Sequence, residues 1–182
     1  MIRSRALQAE YEETAPNILT ASTDILSTGP EIVHLLKQKA AENPLMRARL
    51  CAHRENDDPL HEMLIALQRG VYIRPHRHGV KSESMHAIEG RFLVVLFSDD
   101  GTIERVVDLA PPGESESFFY RLSVNHFHTV IPLSPAVVFH ETTNGPYHRR
   151  QTEFAPWSPH EDEAVKAAAF MSSLMGKIGH AA

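Results

Sequence analysis

Between Leu60 and Thr143, apolar residues occur in short runs that turn-forming residues separate. Asp100-Gly101 lies between two such runs and predicts a hairpin, and Gly90 marks a second break. About eight runs recur at intervals of roughly ten residues, a spacing typical of an all-β sandwich or barrel. The runs do not alternate with long helical patterns, so we expect an antiparallel fold and not a parallel α/β sheet.

A helical pattern precedes the strands. In TGPEIVHLLKQKAAENP, Thr28 is placed as the N-cap and Glu31, three residues later, completes a capping box. Apolar residues follow at helical spacing, and Asn43-Pro44 ends the pattern. We therefore predict a helix over residues 29–42 that covers one face of a sheet.

A second helical pattern follows the strands. In WSPHEDEAVKAAAFMSSLM, Ser158 is placed as the N-cap, Pro159 as the first helical residue and Glu161 as the third. This predicts a helix over residues 159–175 and a single domain in four parts. These are an irregular segment (1–27), a helix with its connecting segment (28–56), a β-barrel (57–150) and a helical segment (151–182).

The composition narrows the class of protein. The 182 residues are 42% hydrophobic and carry a formal charge of −5, which does not favour nucleic acid as a partner. The single cysteine, Cys51, cannot form an internal disulfide, and no apolar stretch approaches the length of a membrane span. We expect a cytoplasmic protein without a membrane partner. The 12 histidines direct attention to imidazole chemistry.

One stretch combines histidines and a glutamate at suggestive spacing. It reads G-x5-H-x-H-x4-E-x6-G, from Gly70 through His76, His78 and Glu83 to Gly90. Because alternate residues of a strand point the same way, both imidazoles can reach one ion. Glu83 begins the next strand and can place its carboxylate on the same face. These three residues predict most of a metal site.

The fourth ligand is expected from a distant strand. SVNHFHT offers His128, preceded by Asn125 at a turn position where the left-handed conformation is tolerated. His126 shares the parity of His128, so spacing does not exclude it.

These residues resemble the cupin superfamily. The spaced G-H-H-E-G pattern matches the first cupin motif in full, and the second is kept in part: His128 matches its histidine, while Ser123, Asn125 and Pro132 depart from it. More narrowly, the chain resembles the WbuC-type cupin fold metalloproteins. The supporting stretches are MRARLCAH, YIRPHRHGVKSES, FHTVIPLS, ETTNGPY and FAPWSPHE.

The resemblance implies a mostly β, single-domain jelly roll, or double-stranded β-helix, with flanking N- and C-terminal helices. It implies one divalent ion held by three histidines and one glutamate, a link to surface-polysaccharide metabolism, and pairing as a homodimer. A fold with so many functions does not by itself name a reaction.

Three classes of function follow from such a site. Three imidazoles and a carboxylate suit Fe, Mn, Ni or Zn. Open positions on the ion favour metal-dependent isomerisation or epimerisation of a saccharide or similar polyoxygenated molecule. An Fe(II)-dependent dioxygenase and a non-enzymatic sugar or effector binding module are the alternatives. No glycine-rich phosphate loop supports a nucleotide redox cofactor.

Other residues are candidates for the lining of the site. Tyr72 and Arg74 share the strand parity of the histidine pair, and Arg74 suits an anionic sugar. Glu141 is the candidate base for proton transfer, although a solvated carboxylate is the alternative. Tyr147, with His148 after it, is placed to bind substrate at the mouth. Cys51, beside His53, is interpreted as a buried apolar residue and not as a ligand.

Overall fold

The computed structural model describes residues 10–79, 81–146, 148 and 151–179. Within these ranges the chain forms twelve strands and two helices. The strands are β1 (Tyr11–Ala15), β2 (Ile18–Ala21), β3 (Arg47–Cys51), β4 (Leu60–Gln68), β5 (His76–His78), β6 (Glu83–Glu89), β7 (Phe92–Phe97), β8 (Ile103–Leu109), β9 (Phe119–Leu122), β10 (Phe127–Pro132), β11 (Ala136–Asn144) and β12 (Thr152–Phe154). The helices are α1 (Pro30–Glu42) and α2 (Ala164–Ile178).

The eight strands from β4 to β11 form a jelly roll. They are arranged in the orders β4-β11-β6-β9 in one sheet and β5-β10-β7-β8 in the other. All neighbours within these two sets are antiparallel. Successive strands alternate between the two sheets from β4 to β7 and again from β8 to β11, and the hairpin β7–β8 lies within one sheet, as in a jelly roll. The predicted fold class and the eight predicted strands are confirmed.

The apolar core lies on both faces of the smaller sheet. Along β7, Phe92 and Val94 pack between the sheets, while Leu93 and Val95 pack outward with residues of α2. Every residue of β7 and of β10 is buried. The sequence of β7 is therefore a continuous apolar run and does not alternate, whereas β10 also buries the polar residues His128 and Thr129.

Helix α1 covers the outer face of the larger sheet, but it begins differently from the prediction. Ile32, Leu36 and Ala40 pack in a cluster with sheet residues such as Val138. The N-cap is Gly29 and no side chain caps the helix, so the capping box with Thr28 is wrong. Pro30 occupies the first helical position, where its missing N–H costs nothing, and this fixes the helix start.

Helix α2 covers the smaller sheet and begins at Ala164, five residues later than predicted. Ser158 is not its N-cap, because the buried Ser158 hydroxyl donates to Ala155 O (2.7 Å) and accepts from Arg74 Nε (3.1 Å). The two flanking helices are nevertheless present. No helix within the described ranges has the length and apolarity that crossing a membrane requires.

Four short strands outside the jelly roll were not predicted. The segment 1–27, expected to be irregular, contains the hairpin β1–β2, and β3 and β12 lie in segments expected to be connecting or helical. The interior residues of β1 are exposed, so the strand has no hydrophobic alternation to detect. β2 and β3 extend the larger sheet beyond β4. This extension supplies one wall of the cavity described below.

The glycine at the β6–β7 turn allows a stability prediction. Gly90 has φ +77°, and an added Cβ would lie 2.5 Å from Ala136 O. Gly90→Ala should therefore destabilise the protein by more than the roughly 1–2 kcal/mol of left-handed strain alone. Gly113→Ala is the matched control, because Gly113 has φ +91° but no atom within 4 Å of the added Cβ. Equal losses in chemical denaturation would contradict the close approach at Gly90.

Candidate metal centre

Three histidines converge between the two sheets. His76 and His78 lie on one face of β5, and His128 on β10 is the direct antiparallel partner of His76. One nitrogen from each of these imidazoles lies within 4.8 Å of the others. The pairing of β5 with β10 therefore brings together residues that are about fifty positions apart in the sequence. Three nitrogens at these separations can hold a metal ion.

In each imidazole Nδ1 faces a protein oxygen outside the cluster, which makes Nε2 the candidate ligand atom. His76 Nδ1 lies 2.9 Å from Arg74 O, and His128 Nδ1 lies 3.0 Å from His126 O. His78 Nδ1 lies 3.4 Å from Thr152 Oγ1. Because a backbone carbonyl only accepts, Nδ1 of His76 and of His128 carries the proton and Nε2 carries the lone pair. This is the usual arrangement of metal-binding histidines.

A buried carboxylate completes the cluster. Glu83 is the first residue of β6 and is 5% exposed. Its Oε1 lies 3.0 Å from His128 Nε2, and its Oε2 lies 3.5 Å from His78 Nε2. Oε1 makes no hydrogen bond among the described residues, although it has no contact with solvent. Burial of an unbonded carboxylate is costly unless a cation compensates it, so the donor set fits a divalent ion.

The pKa shifts of these four residues also agree with a metal site. Burial and the neighbouring imidazoles lower the pKa of His76 to about 3, and burial lowers the pKa of His78. Burial alone would raise the pKa of Glu83, but the adjacent imidazoles outweigh it and lower the pKa to about 2. Burial would lower the pKa of His128, but the carboxylate of Glu83 raises it. A proton and a metal ion therefore compete for His128 Nε2 beside Glu83.

Glu141 lies on the same interior face of the larger sheet. In the register of β11 it stands between Met85 of β6 and Met63 of β4. Burial and the negative charge of Glu83 raise the pKa of Glu141 to about 8, against the positive charges of His128 and Arg49. The carboxyl group is thus protonated at neutral pH and can exchange its proton near that pH.

A cavity of about 930 Å³ connects these residues to the surface. The four residues of the cluster and Glu141 all line it, together with side chains of β3 and β4. Residues from the segment 151–161, including Phe154 and Glu161, line it as well. The volume suits a small-molecule ligand, which could reach the cluster from the mouth.

The structure separates the other predicted residues into two groups. Arg74 lines the cavity, with its guanidinium 4.9 Å from the ring centre of Phe154. Tyr72 does not line it, because its hydroxyl donates to Pro159 O (2.9 Å) and its ring meets Phe170 edge-on. Strand parity predicted the wrong position for the Tyr72 side chain, because strand β5 begins only at His76. Tyr147 lies outside the described residues, and His148 lines the cavity in an exposed position.

The choice between the two histidines of SVNHFHT is also clear in the geometry. His126 Nε2 lies 3.0 Å from Glu104 Oε2, and His126 is not part of the cluster. His128 is therefore the member that converges with His76 and His78. The turn argument was wrong, however: within the described ranges, non-glycine residues with positive φ are Asn17 and Met46, so Asn125 is not left-handed. Cys51 is buried in the cavity wall but does not join the cluster.

Sequence reasoning missed a buried tyrosine close enough to feel the charge of Glu83, and two arginines of the cavity lining. Tyr120 of β9 is buried with an unbonded hydroxyl, and its pKa is raised by burial and by the charge of Glu83. Arg47 and Arg49 line the cavity because β3 joins the sheet. The alternation in RARLC was the available signal, since Ala48 and Leu50 are buried on the opposite face.

Comparison with known proteins adds a family match over part of the chain. Residues 30–109 match the family described as Domain of unknown function (DUF6016). This range is less than half of the chain and contains His76, His78 and Glu83 but not His128. No curated protein matches the chain.

Solved structures with some similarity include an oxalate oxidase in complex with glycolate, with 12% identity, coverage of 63% of this chain and 57% of that chain, and a TM-score of 0.47. KdgF from Halomonas sp. has 18% identity, coverage of 59% and 84%, and a TM-score of 0.45. Oxalate decarboxylase from Bacillus subtilis has 16% identity, coverage of 53% and 24%, and a TM-score of 0.42. The chain spans less than two thirds of the oxidase and decarboxylase chains. The jelly-roll assignment rests on the strand order of this chain.

The histidine cluster predicts the metal content of variants. The double substitution His76→Ala/His78→Ala should abolish stoichiometric binding of a divalent ion, because it removes two of the four converging ligands. His126→Ala is the matched control and should keep the metal content of the wild type. Elemental analysis of untagged protein measures both. Full metal retention in the double variant would place the site elsewhere.

The raised pKa of Glu141 predicts a pH-dependent stability difference in metal-free protein. Because the folded-state pKa of about 8 lies above the usual 4.5, folding favours the protonated form. The stability that this carboxyl contributes is complete below about pH 4.5 and is lost as the pH rises to about 8. The free energy of unfolding of the wild type should therefore fall relative to Glu141→Gln across this interval.

Glu62→Gln serves as the control for this comparison, because Glu62 of β4 pairs with His140 and does not line the cavity. Denaturant unfolding at several pH values gives the curves. A constant difference between the wild type and Glu141→Gln would contradict the assigned environment of Glu141.

Proposed function

We propose that this protein is a WbuC-type cupin metalloprotein that binds one divalent ion and acts on a saccharide or similar polyoxygenated small molecule. The observation that carries the proposal is the convergence of three imidazoles beside a buried carboxylate in the wall of a cavity. His76, His78, Glu83 and His128 would hold the ion. When bound, such an ion supplies Lewis-acid polarisation of a ligand oxygen.

The residues of the chain provide the remaining chemistry. Glu141 holds a proton at neutral pH and lies on the same face as Glu83, so it can exchange a proton with a ligand in the cavity. Arg74 has donors beyond the two that contact Ser158 and Ala155, and its position in the wall suits a polar ligand group. Apolar neighbours such as Met85 and Val130 limit the access of water from the barrel side.

These roles favour an isomerisation or epimerisation, in which a proton leaves and returns at carbon beside a carbonyl group. We assign this transfer to the ionised form of Glu141, which accepts the proton from carbon and returns it; this form becomes more populated as the pH approaches the pKa of about 8. A role in surface-polysaccharide metabolism fits a saccharide ligand and is part of the proposal.

The test combines ligand binding with one substitution. Metal-loaded crystals soaked with sugars should show ligand oxygens beside the four proposed ligands and within about 3–5 Å of Glu141. Glu141→Gln should lower the rate of proton exchange at the sugar carbon by roughly 10²–10⁴-fold while the metal content is unchanged. Glu62→Gln is the control and should keep the wild-type rate. Exchange can be followed by NMR in deuterated water.

Other results would replace the proposal. Oxygen consumption with another substrate, without sugar binding, would establish the dioxygenase alternative. Sugar binding without proton exchange would identify a binding module.

A further inference from the structure

Strand β3 presents two arginines to the cavity on one face. Ala48 and Leu50 pack with α1, so the alternate residues Arg47, Arg49 and Cys51 face the opposite way and line the cavity. Residues two apart on a strand are separated by about 7 Å. The two side chains therefore leave the same face of β3 and add two positive charges to the cavity wall. An anionic ligand group near this wall would be attracted by both charges.

The surroundings of Arg49 do not provide that anion. Its cross-strand neighbours are Ile18 on β2 and Ile65 on β4, and neither can pair with a guanidinium. Among the described carboxylates, none lies within 4.0 Å of the Arg49 side chain, whereas Arg47 has Glu161 at 3.8 Å. Arg49 is an exposed residue of the cavity lining, and its charge lowers the pKa of both Glu141 and the Cys51 thiol against the larger effect of burial.

The charge of the cavity differs in sign from that of the chain. The chain carries a formal charge of −5, yet the described cavity lining contains five arginine and lysine residues and three carboxylates. One of the carboxylates, Glu83, is directed at the histidines. The rest of the cavity is thus suited to a negatively charged ligand.

We propose that Arg49 binds a carboxylate or phosphate group of the ligand, so that the ligand is an anionic saccharide or a similar polyoxygenated anion. The inference rests on the proposed function, because the neutral oxygen-rich part of the ligand would face the metal residues. The planar guanidinium matches the oxygens of either anion in a two-point contact. Arg49 then determines specificity, because Arg47 already has Glu161 as a partner while no described carboxylate pairs with Arg49.

Calorimetry with metal-loaded full-length protein tests the inference. The probes are glucose, glucuronate and glucose 6-phosphate, which share a sugar ring and differ in charge. We expect at least one anionic probe to bind roughly tenfold or more tightly than glucose, with a preference that weakens at high salt. The better anionic probe distinguishes a carboxylate site from a phosphate site.

Substitutions identify the residue responsible. Arg49→Met should remove the preference for the anionic probe and leave glucose binding unchanged, and Arg49→Lys should retain part of it. Arg54→Met is the matched control: Arg54 also lines the cavity, but its guanidinium pairs with Asp24 at 2.5 Å. This control should keep the wild-type preference.

The outcomes separate this inference from the proposed function. Equal affinity for charged and neutral probes, unchanged in Arg49→Met, would overturn the inference and leave the metal proposal intact. Arg49-dependent anion binding that is identical after metal removal would support the anion site and contradict the proposed function. The inference would also be overturned if none of the three probes binds at about 10 mM, a concentration at which even weak ligands are detected.

Discussion

The site depends on the burial of one carboxylate among three imidazoles. Glu83 lies between the sheets with one oxygen unbonded, 3.0 Å from His128 Nε2. In water such a group would be fully hydrated, and its burial costs several kcal/mol unless a positive charge replaces the water. In the absence of metal a proton on His128 can supply that charge, and a divalent ion can supply it more completely. The carboxylate of Glu83 accordingly raises the pKa of His128, whereas burial lowers the pKa values of His76 and His78.

The jelly roll places these groups without long loops. β5 and β10 are neighbours in one sheet, and β6 faces them from the other. The β5–β10 ladder therefore fixes the relative positions of the three histidines, and the packing of the two sheets brings Glu83 to them. Strand β3 extends the larger sheet and adds a positively charged wall to the same cavity. The cavity thus has the proposed metal ligands at one end and the arginines of β3 at the other. We propose that a ligand spans the two.

Much of this arrangement could be predicted from the sequence because it is local. The eight strands follow from apolar runs and turn residues, and the shared face of His76 and His78 follows from strand parity. Glu83 was expected on that face of an adjacent strand, but β6 lies in the other sheet and brings Glu83 to the histidines across the interior. The parity rule gave the wrong position for Tyr72, because the residues from Val71 to Pro75 are not in a strand. Side chains outside a strand need not point alternately to opposite faces. Long-range strand pairing could not be predicted from the sequence. The position of β3 beside β4, and hence of Arg49 in the cavity wall, depends on contacts that no local sequence pattern encodes. The predicted helix starts were wrong for a different reason, since both Ser158 and Thr28 satisfy the sequence rule for an N-cap. Ser158 makes tertiary contacts instead, and Pro30 determines the start of α1.

The most direct measurement is anomalous diffraction from crystals of the metal-loaded protein at the absorption edge of the bound metal. The account predicts one peak, with Nε2 of His76, His78 and His128 and a carboxylate oxygen of Glu83 at about 2.0–2.3 Å. A peak coordinated by other residues, such as Cys51 with His53, would contradict it, as would a structure without a peak between β5, β6 and β10.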